Sequence, residues 1–199
     1  MKPILIGITG RARSGKDTAA DVLKYRLGLH KYALGGPLKD MLKTGFGDHF
    51  HEGDRDGICK ETGVSYRRMM QTLGTEWGRG LNDNIWLNLA QTRWERVQAS
   101  KLCAGMVISD VRFPNEAEWI RERGGMVLEI IRPGQSIVES KHLSEQRLPV
   151  SMVDWVIHNN SSEADFVKNV RQVAYMKSRG MAQPTWLRLA GLVIDRVLR

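Results

Sequence analysis

Gly10, Gly15 and Lys16 stand at the spacing GxxxxGK in the stretch "GRARSGKDTAA", between the apolar run "ILIGIT" and a helical pattern. That order of strand, loop and helix points successive backbone N–H groups inward with a helix N-terminus behind them, and phosphate oxygens fill such a cavity. The two glycines allow the sharp backbone path, and Lys16 supplies a cation able to follow a phosphoryl group in transfer. After the lysine, where a Ser or Thr hydroxyl usually sits, the chain carries Asp17, and a hydroxyl returns only at Thr18. A carboxylate beside a polyphosphate is repelled unless a divalent cation lies between them, so Asp17 reads as a ligand for Mg2+, directly or through water. It also reads as a helix-start residue that favours the positive end of the dipole, worth about 0.3–1 kcal/mol.

Three further stretches carry polar groups at telling positions. In "VISDVRFPNEAEWI" Asp110 and Arg112 follow a second buried apolar run, and the C-terminal ends of such strands line the ligand crevice of open α/β sheets. There Asp110 orders a magnesium shell or a substrate hydroxyl, and Arg112 offers a planar fork to phosphate oxygens; a structural Asp–Arg pair capping the strand is the other reading. "SYRRMMQTLGTEWGR" holds Arg67, Gln71, Glu76 and Trp77, a phosphate clamp, base-edge hydrogen bonds and a stacking ring for one cleft, with the "GT" expected to interrupt the helix just before Trp77. Its alternative is a core tryptophan and a surface salt bridge. "KHLSEQRLP", after Arg132-Pro133-Gly134, lacks apolar periodicity and carries Lys141, His142 and Arg147, the make-up of a lid and equally of a solvated loop.

These groups need a scaffold, and the apolar patterning supplies one. The runs 4–9, 106–111, 125–131 and 154–159, with a weaker one at 31–34, read as strands buried on both faces, and 16–27, 37–44, 65–77, 84–99, 114–123 and 162–177 read as helices. Strands alternating with helices imply βαβ units, hence an α/β fold of three layers with a central, mostly parallel sheet of about five strands. At 199 residues the chain suits one large domain, and 42% hydrophobic with 26% charged residues places it in the soluble globular class, with no apolar run of membrane-spanning length. A cytoplasmic location is expected, since the N-terminus shows no secretory pattern. Cys59 and Cys103 lack metal or disulfide-framework spacing. The net charge of +8 is uneven: residues 171–199 hold six Lys/Arg against one Asp, an excess that leaves an acidic partner open.

The stretches "GITGRARSGKDTAA", "PLK" (37–39), "RRMMQTLGTEWGR", "ISDVRFPNEAEWI", "HLSE" (142–145) and "DWVIHNNSS" together resemble the deoxynucleoside monophosphate kinases of bacteriophages, within the P-loop nucleoside monophosphate kinases. The chain departs from that pattern at "ALGGPLK", where related proteins carry a Phe-Ala pair ahead of an acidic residue and the proline. The resemblance implies transfer of the γ-phosphate of ATP, with Mg2+, to a deoxynucleoside 5′-monophosphate. It assigns Gly10, Arg13, Ser14, Gly15, Lys16, Asp17 and Thr18 to ATP, with His158 and Asn159 near the adenine. Lys39, Arg67, Gln71, Glu76, Trp77 and Arg112 would face the monophosphate, and Arg132, Lys141 and Arg147 would belong to the lid. Lys16, Arg112 and Asp110 would be catalytic, and Asp17 and Asp110 would hold the metal.

Two other classes share parts of this pattern. A P-loop kinase of another small molecule, such as dephospho-coenzyme A, has the early loop and the late "D..I.N" arrangement. A non-catalytic nucleotide-binding module would dock nucleic acid through the basic tail, since "PTWLRLAGLVIDRVLR" is amphipathic and compatible with a partner, a membrane surface or the chain's own core. The expected organisation is a kinase domain over 1–180, with an acceptor-side helical segment at 37–100 and a lid at 132–149, then a tail helix over 181–199; a homodimer stays open.

The loop chemistry makes one test direct. Lys16→Ala removes the travelling cation and leaves the backbone cradle, so kcat should fall by about 10²-fold or more in a folded protein. A near-normal kcat from the folded variant would remove the phosphate loop from the chemistry.

Overall fold

The computed structural model describes residues 3–47, 56–100, 102–134 and 146–178. The expected tail helix over 181–199, most of the expected lid, and with it Lys141 and His142, lie outside the described residues. Among the described residues five strands form one sheet: β1 (Ile4–Thr9), β2 (Leu29–Tyr32), β3 (Gly105–Ile108), β4 (Met126–Ile131) and β5 (Trp155–His158). Their spatial order is β2-β3-β1-β4-β5, and every neighbouring pair is parallel.

Among the described residues six α-helices flank the sheet: α1 (Lys16–Leu27), α2 (Gly36–Phe46), α3 (Tyr66–Gln71), α4 (Ile85–Ser100), α5 (Pro114–Glu122) and α6 (Glu163–Ser178). Because successive strand residues point to opposite faces, Leu5, Met106 and Ile108 enter one core with Trp86, Ala90 and Trp94 of α4 and Ala117 and Ile120 of α5. Ile6, Ile8, Val107 and Leu128 enter the other with Ala19, Ala20 and Leu23 of α1 and Phe166 and Val170 of α6. The three-layer α/β expectation holds, and burial on both faces is why the strands read as unbroken apolar runs rather than alternating ones.

Two local expectations change. The weak strand expected at 31–34 is β2 at Leu29–Tyr32. Gly28 closes α1 in the left-handed conformation, φ 65°, so the strand begins at once with Leu29 beside Gly105, and the N–H of Leu34 turns instead to the Asp110 carboxylate. The "GT" does not interrupt the helix: α3 runs on as a π-helix over Thr72–Arg79. Gly74 and Gly78 form a buried small-residue face there, on which the Trp86 ring lies and donates its indole N–H to the Gly74 carbonyl at 2.8 Å. Close approach of the ring and that hydrogen bond offset the poor helix propensity of two glycines. Among the described residues no helix is long and apolar enough to cross a membrane.

A methyl group at Gly78 would stand 2.3 Å from the Trp86 ring. Gly78→Ala should therefore destabilise the fold by about 1–3 kcal/mol despite the better helix propensity of alanine. Urea denaturation reads this out; equal or greater stability would show that the π-helix does not depend on that contact.

Candidate active site

With all five strands parallel, their C-terminal ends share one edge, and the chain leaves each at a candidate residue. β1 leads into Gly10 to Thr18, β2 into the start of α2, β3 into Asp110 and Arg112, β4 into Arg132, and β5 into Asn159. An open cavity of about 280 Å³ lies at this edge, lined by Arg13, Gly15, Lys16, Asp17, Thr18 and Arg132. Its walls are three cations, one carboxylate and one hydroxyl around a backbone turn.

The turn takes this shape through residues with positive φ: Gly10 at 138°, Arg13 at 61° and Gly15 at 103°. A Cβ at Gly10 would meet the Ile130 carbonyl at 2.4 Å, and one at Gly15 would meet the Asn159 amide nitrogen at 2.7 Å, so space as well as conformation requires glycine. Asn159 braces the loop by donating from Nδ2 to the Ser14 carbonyl at 2.9 Å. The Ser14 hydroxyl is buried and has no hydrogen-bond partner among the described residues, a cost of about 1–3 kcal/mol that a further acceptor or donor at the loop would relieve. Lys16 donates to the Arg11 carbonyl, which folds its side chain over the loop.

Asp17 lies in the first turn of α1, and Lys31 of β2 stands 3.7 Å from it and 2.8 Å from Asp21, one helical turn on. The Asp17 side chain is 81% exposed and lines the cavity. This lone carboxylate in a cationic cavity suits a divalent cation shared with phosphate oxygens, since Mg2+ needs only one or two carboxylates when the substrate supplies the rest. Among the described residues no group of three His, Cys, Asp or Glu could enclose a metal by itself.

Asp110 accepts from the N–H of Leu34 at 2.7 Å and of Gly35 at 2.9 Å. It thereby joins the end of β3 to the start of α2, on which Lys39 sits one turn in. Arg112 is exposed in the turn between β3 and α5, and its N–H donates to Glu116 Oε2 at 2.7 Å, as does that of Phe113 at 3.0 Å. Burial raises the Glu116 carboxyl to about 7; the two N–H donors and Arg79 oppose the shift, and Asp110 adds to it.

The cavity wall does not include Lys39, Arg67, Gln71, Glu76, Trp77 or Arg112. Arg67 pairs with Asp56 at 2.7 Å, Glu76 with Arg68 at 3.1 Å, and Trp77 is 46% exposed, so it is no core residue. Arg147 grips the buried Glu129 of β4 through two hydrogen bonds, 2.6 and 2.9 Å; Glu129 lies in register with Thr9, the residue before Gly10. His158 is half-buried at the end of β5.

Sequence reasoning passed over Glu116, Glu129, Arg79 and Lys31. Glu116 did carry a signal: Pro114 opens a helix and Glu116 stands three residues after Phe113, the spacing of a carboxylate that reaches back to free N–H groups. Glu129, inside the strand "MVLEII", had only its position in an apolar run, a buried charge that needs a partner.

The family description "Deoxynucleotide monophosphate kinase" matches residues 4–61 and 55–170. A chain of Acanthamoeba polyphaga mimivirus carrying that same family name is 34% identical over 184 residues, covering 84% of this chain and 94% of that one. The deoxynucleotide monophosphate kinase of Enterobacteria phage T4 is 23% identical, covering 84% of this chain and 97% of its own. The solved structure of TT1252 from Thermus thermophilus aligns with a TM-score of 0.53 at 17% identity, over 89% of this chain and 98% of that one, which is a likeness of fold.

The raised Glu116 carboxyl has a consequence for stability. Its ordinary value is 4.5 and its folded value about 7, so the folded state keeps a proton that the unfolded state gives up. Its contribution is fully present below about 4.5 and is lost as pH rises through about 7. Denaturation of wild type and Glu116→Gln between pH 5 and pH 8 should therefore show the balance moving toward the variant as pH rises. A difference independent of pH would contradict the buried, raised carboxyl.

Proposed function

The chain belongs to the deoxynucleotide monophosphate kinase family and phosphorylates deoxynucleoside monophosphates; on that premise we propose that its donor is ATP with Mg2+, bound in the cavity at the end of β1. The observation that carries this reading is the cavity itself, where Lys16, Arg13 and Arg132 surround a glycine turn that ends at a helix N-terminus. Such a wall neutralises a polyphosphate chain, and phosphoryl transfer asks for little beyond positioning and charge neutralisation. Asp17 and Asp110 would hold Mg2+, which would supply charge neutralisation at the phosphate oxygens.

The acceptor lies, in this proposal, between α2, the helix over Tyr66–Arg79 and the Arg112 turn. Arg67 and Arg112 take its phosphate, Lys39 approaches from the first turns of α2, and Gln71, Glu76 and Trp77 frame the base and sugar. Arg67 meets Asp56 in an exposed ion pair, and such a pair is worth about 0–1 kcal/mol, little beside a charge-assisted bond to a substrate phosphate. A phosphate acceptor is already an oxyanion, so the site needs no general base. Arg132 and Arg147 would carry the lid, and a cytoplasmic location with a separate tail over 181–199 completes the proposal. Dephospho-coenzyme A kinase and a non-catalytic binding module fall away with family membership.

The decisive experiment assays matched deoxyribo- and ribonucleoside monophosphates with ATP and Mg2+. Deoxy substrates should give the higher kcat/KM, and Arg67→Ala should lower it by about 10² to 10³ for every accepted base, because each shares the phosphate. Equal values for dGMP and GMP would refute the preference for deoxyribose, and an Arg67→Ala loss confined to one base would move Arg67 away from the phosphate.

A further inference from the structure

One buried cation stands between the acceptor-side helix and the turn that carries Arg112. Arg79 closes the π-helix, and its side chain is only 12% exposed. Three groups of α5 and its approach hold it. The Phe113 ring lies under the guanidinium with Cζ 3.9 Å from its centroid. Asn115 Oδ1 accepts from Nη2 at 2.9 Å, and Glu116 Oε1 is 3.5 Å from Nη1. The same Asn115 donates to the Asp83 carbonyl at 3.2 Å and to Asn84 Oδ1 at 2.8 Å, which fastens the turn leading into α4. The other Glu116 oxygen accepts from the backbone N–H of Arg112 and Phe113.

A single carboxylate thus links the guanidinium of Arg79 to the backbone of Arg112. A planar fork stacked on a ring, hydrogen-bonded through one nitrogen and ion-paired through another, has one orientation, unlike an ammonium. A buried pair of this kind adds little net stability over apolar packing, so what it contributes is geometry. At 12% exposure the guanidinium is taken up by Phe113, Asn115 and Glu116.

We propose that Arg79 is a positioning residue for the nucleotide acceptor: held by Phe113, Asn115 and Glu116, it fixes the end of the π-helix against the turn that aims Arg112. The proposal rests on the reading that Arg112 faces the acceptor phosphate. It places the acceptor half of the site under the control of a residue outside it, while the donor cavity, built on β1, β4 and α1, is left alone.

The test is a cycle of Arg79→Met, Arg112→Ala and the double variant in the full-length chain, with kcat and KM measured separately for the deoxynucleoside monophosphate and for ATP. Arg79→Met should raise KM for the monophosphate about tenfold and leave KM for ATP within about twofold, and the double variant should match Arg112→Ala alone, because one residue acts through the other. Losses that multiply in the double variant, or KM values for both substrates rising together, would overturn the proposal in favour of general loosening. A silent Arg79→Met beside a damaging Arg112→Ala overturns this proposal only; a silent Arg112→Ala overturns the acceptor reading with it. Should Arg79→Met fail to fold with Glu116 left unpaired, Arg79→Lys, which keeps the charge and loses the fork, takes its place under the same criteria.

Discussion

Parallel strands can end only at the same edge, and the molecule's functional geometry depends on that constraint. A sheet in the order β2-β3-β1-β4-β5 must return each connection across a face, so helices cover both sides and the chain re-emerges at one rim. The phosphate loop after β1, the Asp110 turn after β3, Arg132 after β4 and Asn159 after β5 converge there with no contact required to bring them. β1, paired on both sides, puts the loop at the middle of that rim.

Convergence alone leaves loops loose, and side chains bonded to backbone tighten them. Asp110 holds the N–H groups of Leu34 and Gly35, Glu116 those of Arg112 and Phe113, and Asn159 the carbonyl of Ser14. Asp154 accepts from Val127 at the opposite end of β4 in the same manner. Each bond satisfies a backbone group at a strand or helix end that has no ladder partner. Acceptors that carry charge make the stronger bonds, and three of these four residues are carboxylates. The rim is therefore stiff where positioning matters, an arrangement suited to a reaction whose barrier falls by placement and electrostatics rather than covalent help.

Charge is distributed with the same logic. The cavity after β1 gathers Arg13, Lys16 and Arg132 around one exposed carboxylate, Asp17, so its field favours a polyanion. The buried carboxylates Glu116 and Glu129 each meet a guanidinium, because a charge removed from water must be paired or neutralised. The small-residue face of the π-helix lets Trp86 lie close enough to hold Gly74, while Trp77 of the same helix is exposed.

The sequence by itself determined the layer order, the glycine turn between β1 and α1 and the residues at strand ends. These follow from short-range rules: apolar runs buried on both faces, glycine where φ is positive, and a lysine at a fixed distance from a helix start. The limits of α1 were legible to the residue for that reason. Tertiary structure alone decided what the charged side chains meet. Nothing local announced that Arg79 would find Glu116, thirty-odd positions away, or that Glu129 inside an apolar strand would hold Arg147, or that Lys31 would lie beside Asp17. It also decided that Gly74 and Gly78 continue a helix rather than end it, since their partners, Leu38 and Trp86, come from other elements. Propensity is a sum over neighbours in the chain, whereas burial, ion pairing and close approach depend on neighbours in space, and the fold supplies those only once the sheet has been assembled.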